Sequence, residues 1–461
     1  MSVETVHPEY TNMIDEWKLV KACASGTREV KKLKTAILPA PGAKDGIYDV
    51  PRYDAYIKRA IYTNITGRTQ KGLTGAAFRL PPKVDLPSSI EYLEENADGS
   101  GQSLEQLTKD VFATLLPTGR QALLTDHPDV PSGLTAEQAA LINAQATIKR
   151  YDAINLINWR VDIVNGQSVL TLAVLTEQYN DSENEFEHDT KVQHRVLRLT
   201  DGVYTQQLYK DNDPIEEPRA PTKADGTTFD FIPLFIIGSQ NNDASVDDIP
   251  IGDIAHVNVG HFRNSADLEE NSFVHGQMTL GITSDMDADA WTAMNPNGVV
   301  VGAQAGHFLG ATGGFHTAQA DPNQIADKLQ ERKEEQMLSL GAKLVEQRNP
   351  NETAAAAKID ATGENSVLSD IVTNVEEGIL KSIEWAGLFM GADGDVEYEM
   401  NRQFFDDSVD PQILMAAIQG YDRGVIAKSD LQNSYRKSGV VDAERTNDEI
   451  DEETGQASPI E

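Results

Sequence analysis

The stretch INWRVDIVNGQSVLTLAVLTEQY, residues 157–179, decides the fold class of this chain. It contains two runs rich in β-branched residues, joined by Asn165-Gly166, a strong signal for a two-residue hairpin. The stretch HRVLRLTDGVYTQQLY, residues 194–209, repeats the pattern around Asp201-Gly202. NDSENEFEHD between them is a charged loop tip, and IEEPRAPTKADGTTFDF after them is an exposed proline-rich connection. We therefore predict an antiparallel β module inside an otherwise helical chain, which is an α+β pattern.

Two helices are predicted before this module. RYDAYIKRAIYTN, residues 52–64, places an apolar face on a helix that Pro51 starts. SLEQLTKDVFATLLPTG, residues 103–119, has Ser103 as N-cap and Gln106 as its capping-box partner. QALLTDHP, residues 121–128, follows as a buried strand. The apolar positions of the two helices are Tyr53, Tyr56, Ile57, Ala60 and Ile61, and Leu107, Val111 and Leu115.

The glycine-rich stretch YTNITGRTQKGLTGAAFRLPP, residues 62–82, suggests a phosphate-binding loop at first sight. A P-loop needs Gly-Lys followed by Ser or Thr, whereas Lys71 precedes Gly72 here and Pro81-Pro82 forbids a following helix. No Gly-Lys-Ser/Thr occurs anywhere in the chain. We therefore interpret residues 67–82 as a sharp turn.

Three helices are predicted after the β module. GDIAHVNVGHFRNSADLEENSFVHG, residues 252–276, is predicted to be a helix although Gly260 weakens it, and its aligned apolar positions are Ala255, Val259, Phe262, Ala266 and Phe273. DPNQIADKLQERKEEQMLSLGAKLV, residues 321–345, begins with an Asp321 cap and requires neighbouring helices, because its apolar stripe is narrow and broken. The stripe consists of Ile325, Leu329, Met337, Leu340 and Leu344. SVLSDIVTNVEEGILKSIEWAGLFMG, residues 366–391, has a wide apolar face. EQRNPNETAAAAKIDATGEN, residues 346–365, is expected to be a loop of functional importance or disordered.

The composition restricts the class of protein. Among 461 residues, 39 Lys plus Arg against 73 Asp plus Glu give a net charge of −34. A DNA-gripping protein normally shows a basic face, so this acidity indicates either solubility or a surface that meets nucleic acid without sticking to it. The lone Cys23 excludes an internal disulfide, and the N-terminus shows no signal-peptide pattern. No window is apolar enough for a membrane helix, so no membrane association is expected.

The candidate catalytic and metal-binding patterns fail on spacing. SDMDADAW, residues 284–291, has carboxylates at calcium-loop spacing, but Ala290 and Pro296 replace the required Gly and Glu. The nine His lack the i,i+4 spacing of a zinc pair, and no nucleophile elbow is present. We therefore expect no enzyme activity, no cofactor and no metal.

Five stretches together resemble the portal proteins of tailed bacteriophages, of the siphophage type. YTNITGRTQKGLTGAAFRLPP with YLEENADGSGQSLEQL resembles an N-terminal wing signature of one portal subfamily. IAHVNVGHFRNSADLEENSFVHGQ is similar to the helix entering the stem, and NPNETAAAAKIDATGENSVLSDI to the tunnel loop that leads into the long wing helix. FFDDSVDPQILMAAIQGYDRGVIAKSDLQNSYRKSGVV is similar to the C-terminal helical region. The resemblance covers about residues 50 to 440 in order.

The resemblance implies a portal-type α+β subunit with an α/β wing, an antiparallel β module, long stem helices, a clip, a tunnel loop and a helical crown region. Its parts are an N-terminal wing region with the hairpin module (1–250), a stem helix (251–275), a clip region (276–320), a second stem helix (321–345), a tunnel loop (346–363), a long wing helix (364–395), a C-terminal helical crown region (396–441) and an acidic tail (442–461). The tail's acidic, non-aromatic composition independently predicts disorder.

The same resemblance implies which residues would meet DNA. The tunnel-loop residues are Arg348, Asn349, Asn351, Glu352, Thr353 and Lys358, and the stem-helix residues are Phe262, Arg263, Lys328, Arg332 and Lys333. In a closed ring each basic side chain repeats once per subunit, so Arg348 and Lys358 would form two rings of positive charge. Acidic walls would keep the total affinity for DNA low enough for sliding.

The implied function is a ring, expected to be a dodecamer, at one capsid vertex of the virion. It would conduct double-stranded DNA during packaging and ejection, dock the large terminase subunit, and then bind a head–tail adaptor or neck protein. Further implied partners are the major capsid and scaffolding proteins, with assembly in the host cytoplasm. The alternatives are another virion structural protein, such as an adaptor or minor capsid protein, and an enzyme of unknown class.

Overall fold

The computed structural model describes residues 2–128, 144–182, 184–276, 279–296, 311–318, 324–341, 354–402, 404, 415, 418–421, 423–437, 441, 445–447 and 449–450. The chain divides into two units, Met1–Met400 and Asn401–Glu461. Helices and antiparallel sheets alternate in the first unit, so the predicted α+β class is confirmed. Within the described residues, no helix combines the length and the apolar character needed to cross a membrane.

Four helices open the chain: α1 (Pro8–Ser25), α2 (Thr27–Lys32), α3 (Val50–Arg59) and α4 (Ile65–Ala77). The sequence reasoning gave no helix for α1, although His7 caps it and Pro8 occupies its first turn. Helix α3 is confirmed, because Asp49 caps it and Tyr53 and Tyr56 are buried. Ile61, assigned to its apolar face, is 55% exposed instead.

The interpretation of residues 67–82 as a turn is wrong for most of its length, because Gly67, Gly72 and Gly75 lie inside α4. The Asn64 side chain starts this helix by accepting a hydrogen bond from the Gly67 amide (2.7 Å). A Cβ on Gly67 would stand 2.3 Å from the Ala24 carbonyl oxygen. This glycine therefore serves close packing of α4 against the end of α1, not a bend.

The central sheet has the order β3-β2-β9, with β2 (Arg120–Asp126) fully buried between β3 (Thr147–Asp152) and β9 (Leu234–Gly238). Helix α5 (Leu104–Leu115) precedes it and ends as predicted near Pro117. The Ser103 hydroxyl caps α5 by accepting from the Gln106 amide, but the Gln106 side chain bonds Asp110 (2.9 Å) rather than completing a capping box. The helix and the strand β2 are both confirmed.

The β module is a five-stranded antiparallel sheet in sequential order. Its strands are β4 (Leu156–Val164), β5 (Gln167–Asn180), β6 (Thr190–Thr200), β7 (Val203–Lys210) and β8 (Asp213–Pro214). Both predicted hairpin turns are confirmed: Asn165 and Gly166 have φ of 52° and 82°, and Asp201 and Gly202 have 53° and 75°. Two successive positive φ angles are the signature of a type I′ turn, which matches the twist of the strands.

The module is tied to the central sheet by buried charge. Glu177 on β5 accepts hydrogen bonds from Tyr151 of the central sheet (2.5 Å) and from Arg195 of the module (2.6 Å). These donors hold the pKa of the Glu177 carboxyl below its usual value, although burial opposes the shift. Asp126 at the end of β2 accepts from Gln206 and Arg219 (2.8 Å each).

Four further elements connect the module to the long helix of the chain. They are α6 (Gly252–Gly276), β10 (Thr279–Thr283), α7 (Ala288–Met294) and β11 (Gly314–Ala318), with β10 and β11 paired antiparallel. Helix α8 (Gln324–Ser339) then precedes α9 (Ala354–Met390), and β12 (Glu397–Glu399) pairs with β1 (Lys83–Asp85). The predicted clip, 276–320, therefore includes this antiparallel strand pair. Its residues 277–278, 297–310 and 319–320 lie outside the described residues.

Helix α9 packs its apolar face on the central sheet. The buried positions of α9 include Leu368, Ile371, Val372, Val375, Ile379 and Ile383, the face that the sequence predicts. At Gly378 a Cβ would stand 2.5 Å from Ile237 Cδ1 and 3.2 Å from Phe235 Cδ1. The glycine thus lets the helix approach β9 more closely than any other residue allows.

The second unit contains α10 (Lys428–Lys437), in the region predicted to be helical. In the acidic tail, 442–461, for which the sequence predicts disorder, the described residues are 445–447 and 449–450. There the Thr446 amide donates to Glu449 Oε2 (2.9 Å) and the Glu449 amide donates to Thr446 Oγ1 (3.3 Å), a capping box. Residues 451–461 lie outside the described residues.

Candidate functional site

Helices α6 and α8 form a pair joined through the β10–β11 hairpin, and they cross where α6 carries Gly260. Lys333 of α8 lies over this glycine and donates from Nζ to the Gly260 carbonyl oxygen (2.9 Å). A Cβ at position 260 would stand 3.2 Å from Lys333 Cε, so the missing side chain makes room for the lysine. Burial and the nearby Arg263 lower the pKa of Lys333.

One face of α6 carries a buried polar stripe beside its apolar positions. Asn258, His261 and Ser265 are 0%, 0% and 4% exposed, at i, i+3 and i+7. His261 Nε2 lies 2.9 Å from Oε1 of Glu334 on α8, whose side chain is 50% exposed. This side-chain contact therefore joins the two helices through a buried histidine and a half-exposed glutamate.

Asn258 connects α6 to the N-terminal helices. Its Oδ1 accepts from the Tyr62 hydroxyl (2.8 Å), the Thr66 amide (3.2 Å) and the Thr66 hydroxyl (3.0 Å). Its Nδ2 donates to the Thr63 carbonyl oxygen (2.9 Å). One amide side chain thus provides hydrogen-bond partners for the buried polar groups at the start of α4. The sequence reasoning missed it, because an isolated Asn within a helix pattern carries no signal of burial.

Charged contacts fix the far end of α6. The Tyr56 hydroxyl donates to Asp267 (2.7 Å), and burial together with this carboxylate raises the pKa of Tyr56. Arg59 pairs with Glu270 and lies over the Phe273 ring, 4.1 Å from its centroid. Phe273, assigned by sequence to the apolar face, is 43% exposed and serves this cation–π contact instead.

Cys23 lies between α1 and α6 and is 0% exposed. Its Sγ is 4.0 Å from the Ala255 carbonyl oxygen, and its own carbonyl accepts from the Tyr62 hydroxyl (3.0 Å). Burial raises the pKa of the Cys23 thiol to about 11. The thiol is therefore a packing group rather than a nucleophile.

Helix α8 exposes much of the apolar stripe that the sequence assigns to it. Ile325, Leu329 and Leu340 are 70%, 42% and 43% exposed. At 3.6 residues per turn Ile325 and Leu329 lie about 40° apart on the helix surface, and Leu340 directly follows the last helical residue, Ser339. Only the adjacent side, with Ala326 and Met337, is buried. Leu344, the last position of the stripe, lies outside the described residues.

The predicted stem residues have different surroundings. Phe262 is 0% exposed and packs edge-on against Tyr62, with ring centroids 5.8 Å apart. Arg263 donates from Nε to the Ile37 carbonyl oxygen (2.6 Å), and Lys333 is bound to Gly260. Lys328 and Arg332 are exposed on α8. The structure therefore buries Phe262 against Tyr62 and places the partly buried Lys333 over α6, whereas Lys328 and Arg332 are exposed in the single chain.

The predicted tunnel loop, 346–363, is shorter than the sequence indicates, because α9 begins at Ala354. Residues 354–363, including Lys358, are helical, and the long wing helix expected at 364–395 starts ten residues earlier. The run of Ala354 to Ala357 has the highest helix propensity in the segment, which accounts for the difference. Arg348, Asn349, Asn351, Glu352 and Thr353 lie outside the described residues.

The described residues offer no cluster of three or more His, Cys, Asp or Glu that could hold a metal ion. In the calcium-like stretch, Asp287 caps α7 by accepting from the Ala290 amide (2.8 Å). Asp285 accepts from the Ala311 amide (3.1 Å). Both carboxylates therefore have structural partners.

A family model described as a domain of unknown function, DUF4055, matches residues 250–390. This segment runs from the start of α6 to the end of α9 and so contains the helix pair. No curated protein sequence matches the chain.

Solved structures similar to this chain include a chain from the virion of a native gene transfer agent particle, at 12% identity and a TM-score of 0.42, covering 88% of this chain and 97% of that one. A chain from the neck of a native gene transfer agent particle, computed with C12 symmetry, has 10% identity and a TM-score of 0.42, covering 87% and 98%. An HK97-family phage portal protein from Corynebacterium diphtheriae has 9% identity and a TM-score of 0.32, covering 74% and 96%. The structural neighbours thus include a phage portal protein.

Proposed function

We propose that this chain is a portal-type subunit, which assembles into a closed ring around a channel for double-stranded DNA in a phage-like particle. The observation that carries the proposal is the exposed apolar stripe of α8, which lies beside the side of the helix that packs on α6. Exposed Leu329 and Leu340 are covered if each pair packs against the pair of the next subunit. The sequence resemblance to portal proteins supports the same arrangement.

The charge of the chain suits a conduit better than a DNA clamp. At −34 per subunit, a ring carries a large negative charge that repels phosphates over most of its surface. Low affinity for DNA is what a channel requires, since every neutralised phosphate adds to the binding free energy. Segment 346–363, with Arg348 and Lys358, is proposed as the local exception where each subunit contributes positive charge to a constriction.

The partners belong to the same proposal. They are the large terminase subunit during packaging and a head–tail adaptor or neck protein afterwards, with the ring, expected to be a dodecamer, at one capsid vertex. Capsid and scaffolding proteins would surround it.

Electron microscopy and light scattering of the purified protein test the ring. We expect class averages with a central hole and a mass that is a large multiple of 50.4 kDa. Replacing Leu329 and Leu340 together with Asn should shift the protein to the single-chain mass without unfolding it. A monomer or dimer with no central hole would contradict the proposal and favour another virion protein; nucleotide hydrolysis abolished by a point mutation would favour an enzyme.

The channel role needs a separate test in packaged particles. Replacing Asn349, Asn351, Glu352 and Thr353 with Gly and Ser should preserve rings but lower the amount of DNA packaged or retained. The control is a Gly-Ser replacement of the two exposed turn residues Asp211 and Asn212. Normal DNA content in the first variant would show that segment 346–363 is only a connection.

A further inference from the structure

A phenylalanine stands alone on the tip of the β module. Phe186 is 81% exposed and is the most exposed large hydrophobic side chain among the residues that the structure describes. It lies in the loop between β5 and β6, flanked by Glu185 and Glu187. Burial of such an exposed aromatic side chain by a partner would therefore contribute favourable free energy to binding.

The loop holds Phe186 in place before any partner arrives. Asn184 Oδ1 accepts from the Phe186 amide (3.1 Å), and Ser182 Oγ accepts from the Asp189 amide (2.6 Å). The Asp181 amide donates to the Asp189 carbonyl oxygen (2.8 Å) and closes the base of the loop. Such preorganisation lowers the entropy cost of binding at this tip.

An apolar groove of about 540 Å³ opens elsewhere on the same unit, between the start of β5 and α9. We call it the Trp385 groove. Phe231 and Trp385 are neighbours in it, with ring centroids 5.4 Å apart, and Leu388 is 41% exposed. Lys381 and Glu384 pair with each other there (2.7 Å) and are both about half exposed. The complete lining is Ser168, Val169, Leu170, Phe231, Ile232, Leu234, Lys381, Glu384, Trp385 and Leu388.

We propose that Phe186 of one subunit inserts into the Trp385 groove of the next. The volume is ample for a benzyl side chain, and the aromatic lining offers edge-to-face and offset-stacked contacts. Charge is compatible with the same occupant: Lys381 offsets Glu384 in the groove, so the acidic residues beside Phe186 would meet a locally neutral surface on a strongly acidic chain, with Lys381 half exposed and within reach of a second carboxylate. This proposal rests on the proposed ring and assigns one of its intersubunit contacts.

The phenylalanine cannot fill the groove of its own chain. Leu170, in the groove, lies near the first end of β5, whereas the loop with Phe186 follows Asn180 at the other end. The strand between them spans roughly 30 Å at about 3.3 Å per residue. The contact therefore joins two different surfaces of two copies, which is a heterologous interface; such interfaces close into rings when the rotation permits.

Cysteine cross-linking tests the contact directly, because the native Cys23 is buried and the chain has no other cysteine. A variant with Phe186→Cys and Leu388→Cys together should give a covalent ladder with a short bismaleimide. A mixture of the two single variants should give covalent dimers only. The control pair Ile47→Cys with Leu388→Cys uses a residue that is 78% exposed outside the β module. Cross-linking no greater than in this control would overturn the proposal.

Substitution gives a second measure. Phe186→Ser should raise the protein concentration at which half of the subunits are assembled by about tenfold or more. A tenfold change in the equilibrium constant corresponds to about 1.4 kcal/mol. Ile47→Ser, the matched loss of an exposed apolar side chain, should leave it unchanged. Equal assembly of the two variants would count against the contact.

A charge exchange separates the contact from general effects on folding. In a Glu384→Gln background, which removes the partner of Lys381 within its own chain, Lys381→Glu and Glu187→Lys should each weaken assembly, and the two together should restore it. Rings in the microscope without cross-linking or restoration would refute the contact while leaving the proposed function standing. A covalent ladder without closed rings would support the contact and count against the ring.

Discussion

Helix α9 and the α6–α8 pair both contain a glycine at a close crossing, but the crossings have different partners. Gly378 of α9 faces Ile237, a buried branched side chain of the central sheet. Gly260 of α6 faces the flexible end of Lys333. The first crossing is a dry core contact that the chain completes by itself. The second lies beside polar hydrogen bonds and the exposed stripe of α8, a surface that the next subunit would cover in the proposed ring.

The largest expected effect is on the α9 side. Ile379→Ala removes a fully buried side chain between α9 and the central sheet, and should lower the free energy of unfolding by about 2–5 kcal/mol. Urea unfolding followed by tryptophan fluorescence measures it. The control is Val367→Ala on the same helix, where the side chain is 54% exposed. A loss below that of the control would mean that α9 is not packed as described.

The next effect is on the polar side of the pair. Asn258→Leu leaves the Tyr62 hydroxyl and the Thr66 amide without their buried acceptor, and should cost about 3 kcal/mol. Asn264→Leu is the matched control on the same helix, because the buried Nδ2 of Asn264 has no hydrogen-bond partner among the described residues. The same urea experiment compares them. Equal losses would show that the Asn258 bonds do not contribute to stability.

The two glycines give the sharpest comparison. Gly378→Ala should destabilise the chain by about 1–3 kcal/mol, because the new Cβ would overlap Ile237. Gly260→Ala should be neutral or stabilising by up to about 1 kcal/mol, because alanine favours the helix and the lysine chain can move aside. Thermal unfolding of both variants tests the sign. Similar shifts in Tm would remove the distinction drawn between the crossings.

The smallest expected effect on the single chain is at the exposed stripe. Leu329→Ala should change the unfolding free energy of dissociated protein by no more than about 0.5 kcal/mol, since the side chain is partly in water already. Its effect should instead appear in assembly, measured by sedimentation. A large loss of stability without a change in assembly would show that the stripe is covered within one chain.

Sequence patterns predicted the parts of the fold that local chemistry determines. The type I′ turns at Asn165-Gly166 and Asp201-Gly202 require positive φ angles that few residues adopt, so their sequence is informative. Helix α4 was missed because glycine has a low helix propensity, and its reason for being there, the Ala24 carbonyl beside Gly67, is a tertiary contact.

The candidate site was predictable in outline only. The two helices at 252–276 and 321–345 could be found from their caps and periodicity, and α6 and α8 are where the sequence places them. Their pairing through Lys333 and Gly260 could not be predicted from the sequence. It depends on a flexible side chain that contacts a backbone carbonyl distant in sequence, and no local pattern signals such a contact. The direct roles proposed for Arg348 and Lys358 stay predictions.

The buried thiol of Cys23 can report how often the N-terminal helices open. The thiolate is the reactive form of cysteine, and the pKa of about 11 together with complete burial keeps the folded thiol silent toward alkylating reagents. Labelling must wait until α1 separates from α6, so its rate at low reagent concentration reports how often that separation occurs. Timed in free subunits and in assemblies, one native sulfur would show whether association slows the opening of the N-terminal helices.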